Sequence, residues 1–452
     1  MHPRGRFSNV MFHANLRPES ATLAILVTLL FLIFVLLFMM FTAQPAQAQT
    51  YRVLYTFDSG QNAWDPAAGL SIDAAGNLYG TTVRGGGQGD CPAPGGCGSV
   101  FQLTYIGSNW IETLLHGFNG PYDFGGGPGH FAATDGAYPY ARAVIGPDGS
   151  LYGTTHAGAT GDNGTVYQLT SSGSGWRETV LHRFTGGGDG GSPYGEVVFD
   201  QAGSLYGTTT GGGPYSWGTV FRLTQSGSGW AKSMLYGFQG GNDGAWPYAG
   251  VVFDKLGNLY GTTGAGGAAD CKYGGANCGT VFQLTPSGSG WTEKIIYNFH
   301  NGNDGGSPSG LIFDPSGNLY GAICGGPTGG AVFMLSPSGG NWSFQVLYRL
   351  TETSSCGFLG SLTLDAAGNL YGTTSSGGPY DRGTIYKLTR SGGWWYTDLY
   401  DFTGGTDGGQ PNSSLVFDAN GNLYGTTQYG GVSHYCGGAF YTGCGVVFEI
   451  TP

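Results

Sequence analysis

Five short segments of this chain set a proline four residues after an aspartate: Asp135-Gly136…Pro139, Asp189-Gly190…Pro193, Asp243-Gly244…Pro247, Asp304-Gly305…Pro308 and Asp407-Gly408…Pro411. A sixth place carries Asn62…Pro66, and a seventh carries Ser354-Ser355-Cys356 with no proline. Carboxylates at one recurring position have two chemical uses. Brought together, they would offer the several oxygens that a hard cation such as calcium takes. Held apart, each would cap its own loop by accepting backbone N–H groups, as Asp does in an Asx turn. Recurrence favours the turn, because every copy needs a turn and a ligand site needs one asymmetric constellation. Aromatic residues crowd only the four of these places that come earliest in the chain, as Trp64, Tyr138, Tyr140, Tyr194, Trp246 and Tyr248. Rings beside acids and amides suit stacking on sugars, and exposed aromatic patches mark binding surfaces. Packing over the loop prolines is the competing use.

The eight cysteines all lie beyond residue 48. Three pairs are local, Cys91/Cys97, Cys271/Cys278 and Cys436/Cys444, and Cys324 and Cys356 remain. A structural zinc site needs four convergent ligands, usually at tighter spacing. Dispersed pairs in an exported chain read as disulfides. The histidines beyond residue 48 (His116, His130, His156, His182, His300 and His434) show no metalloprotease spacing. Runs such as Gly227-Ser228-Gly229 fall in turns rather than on a strand-to-helix elbow. Paired carboxylates for glycoside chemistry depend on a separation that the sequence does not give.

The elements that must position these residues follow from a repeated phrase. Leu-Tyr-Gly recurs at Leu78, Leu151, Leu205, Leu259, Leu319, Leu370 and Leu423, at spacings of 73, 54, 54, 60, 51 and 53 residues. In one clean copy, Val251-Val252-Phe253-Asp254 is a short apolar run and Lys255-Leu256-Gly257-Asn258 a turn. Leu259 to Thr263 is a second strand, Thr280 to Leu284 a third, and Trp291 to Phe299 a fourth and longer one. Four antiparallel strands (A to D) in a unit of this length make a propeller blade. Glycine, at 90 of 452 residues, fits many short strands joined by turns, while the aromatic content of 14% excludes a disordered chain. The segment Tyr51 to Phe57 matches strand D, and the chain stops on a strand C, Val446 to Ile450. The sequence therefore predicts an all-β, seven-bladed propeller whose first strand completes the last blade and removes its open edges.

In such a ring the B–C and D–A loops share one face. Cys324 and Cys356 fall on that face in neighbouring blades, so a Cys324–Cys356 bridge is predicted beside Cys91–Cys97, Cys271–Cys278 and Cys436–Cys444. The Asp and aromatic segments are D–A loops on the same face. The acids that end strand A, Asp73, Asp200, Asp254, Asp314, Asp365 and Asp418, read as hairpin-turn residues on the other face. Blade two carries Gly146 there, with Asp148 nearby. The strand D tryptophans read as wedge fillers between blades.

The phrase Phe253-Asp254-x-x-Gly257-Asn258-Leu259-Tyr260-Gly261-Thr262-Thr263, followed by Gly279-Thr280-Val281-Phe282-x-Leu284-Thr285 and Trp291, resembles the GloVer tandem-repeat family. These are exported bacterial proteins, also called choice-of-anchor proteins. The looser Asp-x-x-Gly-Asn-Leu-Tyr pattern is similar to NHL-type propellers. The resemblance implies export and a repeat fold, and brings no activity or catalytic residue with it. The sequence ends at Thr451-Pro452 directly after a strand, so a C-terminal sorting tail is not expected.

Arg4, Arg6 and Arg17, an apolar run over 21–41 and Ala46-Gln47-Ala48 together read as a signal peptide over 1–48, ahead of a single propeller domain over 49–452. The apolar run is long enough that an uncleaved membrane anchor is the alternative. Cleavage removes three of 17 basic and one of 28 acidic residues and takes the net charge from −11 to −13. An acidic surface repels phosphate backbones, which excludes nucleic acid as a partner. The expectation is a secreted or cell-surface monomer without a cofactor, calcium being the one ion considered. It would bind a carbohydrate or other cell-envelope ligand on the B–C/D–A face. A hydrolase or lyase with carboxylates in the channel and a protein–protein scaffold are the alternatives.

Overall fold

Strand B, Leu-Tyr-Gly-Thr-Thr in six blades and Leu-Tyr-Gly-Ala-Ile-Cys in blade five, is buried over its first five residues in each blade, because neighbouring blades cover both of its faces. The computed structural model describes residues 49–58, 63–86, 96–119, 135–159, 161–173, 175–267, 278–288, 290–325, 329–350, 360–431, 436 and 443–451. The expected leader over 1–48, and Asn62, Cys91, Cys271 and Cys356, lie outside them.

Seven antiparallel sheets form the propeller. Blade three shows the pattern: strand A is Val198–Phe199, B is Leu205–Thr209, C is Thr219–Ser226 and D is Gly229–Gly237, hydrogen-bonded in that order. One blade has a fifth short strand, Gly306–Pro308, which pairs with strand B ahead of strand A. Thr50–Thr56 pairs with Val446–Thr451, from Thr50↔Thr451 to Thr56↔Val446, and so supplies strand D of blade seven. Strand D alternates between exposed and half-buried residues, as the outer strand of a blade should. Each C–D pair carries a register shift at the same place, for example Val220/Phe221, which adds twist at the outer edge.

The core lies between blades. In six blades the tyrosine of Leu-Tyr-Gly meets the strand D tryptophan of the next blade edge-on, as in Tyr152–Trp230 at 6.4 Å and, across the closure, Trp110–Tyr424 at 6.5 Å; the closing strand has no tryptophan for Tyr371. In six of the blades the first threonine of strand B donates its hydroxyl to a backbone carbonyl of the next blade, and blade five has Ala322 there. Thr154 reaches the Gly195 oxygen at 3.2 Å, Thr208 the Ala249 oxygen at 2.8 Å, and Thr426 closes the ring on Ala68 at 2.8 Å. The acid that ends strand A holds the A–B turn: Asp254 accepts from the Leu256 and Asn258 amides, the Asn258 side chain and the Tyr260 hydroxyl. In blade two Asp148 takes the role through Ser150 and Tyr152. Burial alone would raise the Asp314 carboxyl, but donors from Asn318, Tyr320 and Ser316 outweigh it and hold the group below its ordinary value.

Candidate functional site

The five D–A aspartates do not converge. Each accepts hydrogen bonds within its own loop and from the strand D that precedes it. Asp243 accepts from the Gln239 amide at 2.7 Å and the Tyr236 hydroxyl at 2.6 Å. Asp304 binds the His300 amide and the Tyr297 hydroxyl, and Asp407 binds the Thr403 amide and the Tyr400 hydroxyl. In blades one and two the strand D partner is a histidine, His116 to Asp135 and His182 to Asp189, both at 3.2 Å. Asp135 also caps the Asn119 amide, and Asp189 the Thr185 amide. These are loop-capping acids, the arrangement expected of an Asx turn. Among the described residues no group of three or more His, Cys, Asp or Glu is placed to hold a metal ion.

What the loops do carry to the axis is set by an unusual backbone. The residue before each loop proline has a left-handed φ: 65° at Asp65, 58° at Tyr138, 53° at Ser192, 57° at Trp246, 45° at Ser307 and 56° at Gln410. A non-glycine residue here is strained, and such strain persists only where the surroundings over-determine it. The preceding blade supplies the constraint. Each of these residues donates its amide to a B–C loop carbonyl there, as Trp246 does to Trp217 at 3.0 Å and Gln410 to Arg382 at 2.7 Å. Three of the carbonyls belong to cysteines: Cys97 accepts from Tyr138, Cys278 from Ser307 and Cys444 from Asp65. Cys436 and Cys444 form a disulfide with a Cα–Cα distance of 4.8 Å. Cys97, Cys278 and Cys324 are also disulfide-bonded, to partners outside the described residues. The cross-links thus brace the loops that grip the next blade.

Past the prolines, the chains of all the blades line one axial cavity of about 1210 Å³. Its wall is two-sided. Blades two to four contribute Tyr140, Tyr194, Trp246 and Tyr248, while the others contribute small or amide residues such as Ala67, Ser309, Ser361 and Asn412. Tyr140 and Tyr194 stack at 4.6 Å, and Tyr248 meets Tyr194 edge-on at 5.7 Å. His156 stands edge-on to Tyr140 at 5.6 Å and to Tyr194 at 5.8 Å. Burial lowers its pKa, so the ring is neutral at physiological pH, and its Nδ1 is buried without a hydrogen-bond partner. Trp246 lies 5.5 Å from Trp217, which is partly exposed on the B–C loop.

Of the aromatics singled out from the sequence, Tyr140, Tyr194, Trp246 and Tyr248 come together, and two do not join them. Trp64 packs against the inter-blade core with Arg84 over its ring at 5.1 Å. Tyr138 packs on the core between blades one and two. Several functional candidates carried no sequence signal. Arg142 and Glu196, 54 residues apart, form an ion pair on the cavity wall, with Nη2 and Oε2 at 2.8 Å. Glu196 is the single carboxylate among the described lining residues. Asp65 is buried behind the wall, where burial pushes its carboxyl up to about 6 against a hydrogen bond from Gln428 and the charge of Arg84. Gln428 in turn accepts from Asn412 at 2.7 Å. The arrangement can stack rings on a flat or apolar face and can exchange hydrogen bonds with hydroxyls.

Similarity to known proteins runs along the fold. The chain resembles the extracellular domain of a protein described as a one-component system from B. thetaiotaomicron, at 14% identity and a TM-score of 0.51. The match covers 89% of this chain and 42% of that one, so this chain spans less than half of its length. A second structure of an extracellular domain from the same organism, described as a hybrid two-component system, matches at 13% identity and a TM-score of 0.50, over 90% of this chain and 42% of the other. At such identities the likeness speaks for the fold alone. No curated protein matches the sequence. The sequence profile of the Gloeobacter/Verrucomicrobia repeat matches residues 122–275 and 271–452, the greater part of a molecule built of these repeats, and the chain belongs to that family.

Proposed function

We propose that this protein is an exported, ligand-binding propeller that takes a carbohydrate of the cell envelope or its surroundings into the mouth of the axial cavity. The observation that carries the reading is the aromatic wall of Tyr140, Tyr194, Trp246 and Tyr248, confined to three neighbouring blades of an otherwise repetitive ring. Packing alone would call for rings in every blade. Here they form one side of a cavity whose other side has no aromatic ring and is mostly small and amide residues. Sugars pair an apolar ring face with a hydroxyl rim, and this wall offers a partner to each. Disulfides at Cys436–Cys444, Cys97, Cys278 and Cys324 suit an oxidising compartment and support export.

The test is a glycan array followed by calorimetry on the hits. Tyr194→Ala combined with Trp246→Ala is expected to weaken binding by about 10- to 100-fold, the loss of one or two stacking contacts of roughly 1 kcal/mol each plus buried area. Binding of the same glycans at unchanged affinity by the double variant would remove the cavity as the site.

A further inference from the structure

We propose that Arg142 and Glu196 form the hydroxyl-reading subsite of this cavity, which selects an uncharged sugar residue bearing a vicinal diol over acidic or basic sugars. The inference rests on the carbohydrate reading and narrows it. Arg142 lies two residues beyond Tyr140, and Glu196 two residues beyond Tyr194. Both pairs line the cavity, so the charged pair and the stacked tyrosines share one stretch of wall.

The pair breaks the symmetry of the ring. The equivalent position is Gly69 in blade one, Gly250 in blade four and Ser414 in blade seven, all of which line the same cavity without charge. Closing the seam does not require it. Blades two and three are already joined by Thr154 donating to Gly195, and five of the other seams are joined by the same threonine bond with no ion pair at this position.

The bonding pattern leaves capacity for a ligand. Arg142 Nε and Nη2 both fall on Glu196 Oε2, at 2.9 and 2.8 Å, so Oε1 and Nη1 have no hydrogen-bond partner among the described residues. The side chains are 28% and 37% exposed, open to the cavity rather than sealed. Of two adjacent hydroxyls, one can accept from the guanidinium and the other donate to the carboxylate. A sugar carboxylate would meet Glu196, and a sugar ammonium would meet Arg142, each at the cost of like-charge repulsion.

The experiment is calorimetry on protein expressed from the full chain, against three sets of hexasaccharides. The sets are neutral (gluco-, xylo- and manno-oligosaccharides), acidic (oligogalacturonate) and basic (deacetylated chitin oligomers). The variants are Arg142→Lys, Arg142→Met and Glu196→Gln, each checked by its melting curve. The expected result is binding from the neutral set alone, weakened tenfold or more by Arg142→Met and by Glu196→Gln at unchanged melting temperature, and less by Arg142→Lys. Neutral binding untouched by these variants would overturn the subsite and leave the cavity as a carbohydrate site. So would preferred binding of the acidic set that improves in Glu196→Gln. Failure of all three sets to bind would overturn the carbohydrate reading itself.

Discussion

The glycine of Leu-Tyr-Gly lies under an aromatic ring in every blade. Register pairs Gly207 with Phe221, Gly261 with Phe282 and Gly321 with Phe333. A Cβ on Gly207 would stand 2.7 Å from the far edge of the Phe221 ring, which is itself fully buried. The glycine is therefore a packing requirement, with the ring of strand C filling the place of its missing side chain. Gly207→Ala is expected to cost about 1–3 kcal/mol, the usual penalty for overpacking a closed core, measured by chemical denaturation. The same reasoning separates the threonines. The first of each Thr-Thr reaches across to the next blade, while the second pairs within its own, as Thr209 does with Thr219 at 2.9 Å. At the site, the residue scale was only half legible in the sequence. Trp246 and Tyr138 occupy the same loop position with the same left-handed backbone, yet one lines the cavity and the other packs into the core.

At the scale of the element, the outer seams between blades are made by one strand D residue, two after the tryptophan, packed on the preceding blade. Phe344 stacks on Tyr297 at 4.2 Å and Tyr396 on Tyr348 at 4.6 Å, while Tyr51 of the closing strand stacks on Tyr400 at 3.8 Å. Lys232 donates instead to the Asp189 carbonyl. Glu178 and Glu293 occupy the same place and leave their Oε1 atoms buried and unpartnered. Burial pushes both carboxyls from the ordinary 4.5 up to about 7. Asp135 adds to this at Glu178, where His116 and Arg183 oppose it, and Asp243 adds at Glu293. The linkage has a definite sign. Below pH 4.5 the groups are protonated in both states. Between that value and about 7 the unfolded chain releases its protons first, so stability falls as pH rises. Glu178→Gln with Glu293→Gln is expected to raise the melting temperature at pH 8 and leave it unchanged at pH 4. A gain equal at both values would show that charge is not the cause.

For the whole molecule, closure is the decisive event. The strand Thr50–Thr56 is the first of the propeller and pairs with the last, Val446–Thr451, through a ladder that also stacks Tyr51 on blade six. Deleting residues 49–56 should leave strand C of blade seven as an open edge, a template for pairing between molecules. The expected outcome is a shift to larger species than the intact protein forms in size-exclusion chromatography, together with a lower melting temperature. A deletion variant that elutes and melts as the intact protein does would show that the ring does not depend on this strand. The disulfides act at this scale too. Cys444 holds the Asp65 amide, so the Cys436–Cys444 bridge braces the junction of the last blade with the first.

Seven copies of a four-strand pattern, and a first strand that completes the last blade, were written in the sequence, because each copy carries its own turn glycine, turn acid and alternating strand. Repetition makes local signals legible, and a residue needed in every blade is read seven times. The site is what repetition does not encode. Tyr140, Tyr194, Trp246 and Tyr248 gather because a left-handed residue, gripped by the neighbouring blade, aims each loop at the axis. Arg142 and Glu196 meet because adjacent blades bring residues 54 apart in the chain to 2.8 Å. Only the closed ring decides which side chains face its axis, since facing depends on a partner blade that no single repeat contains.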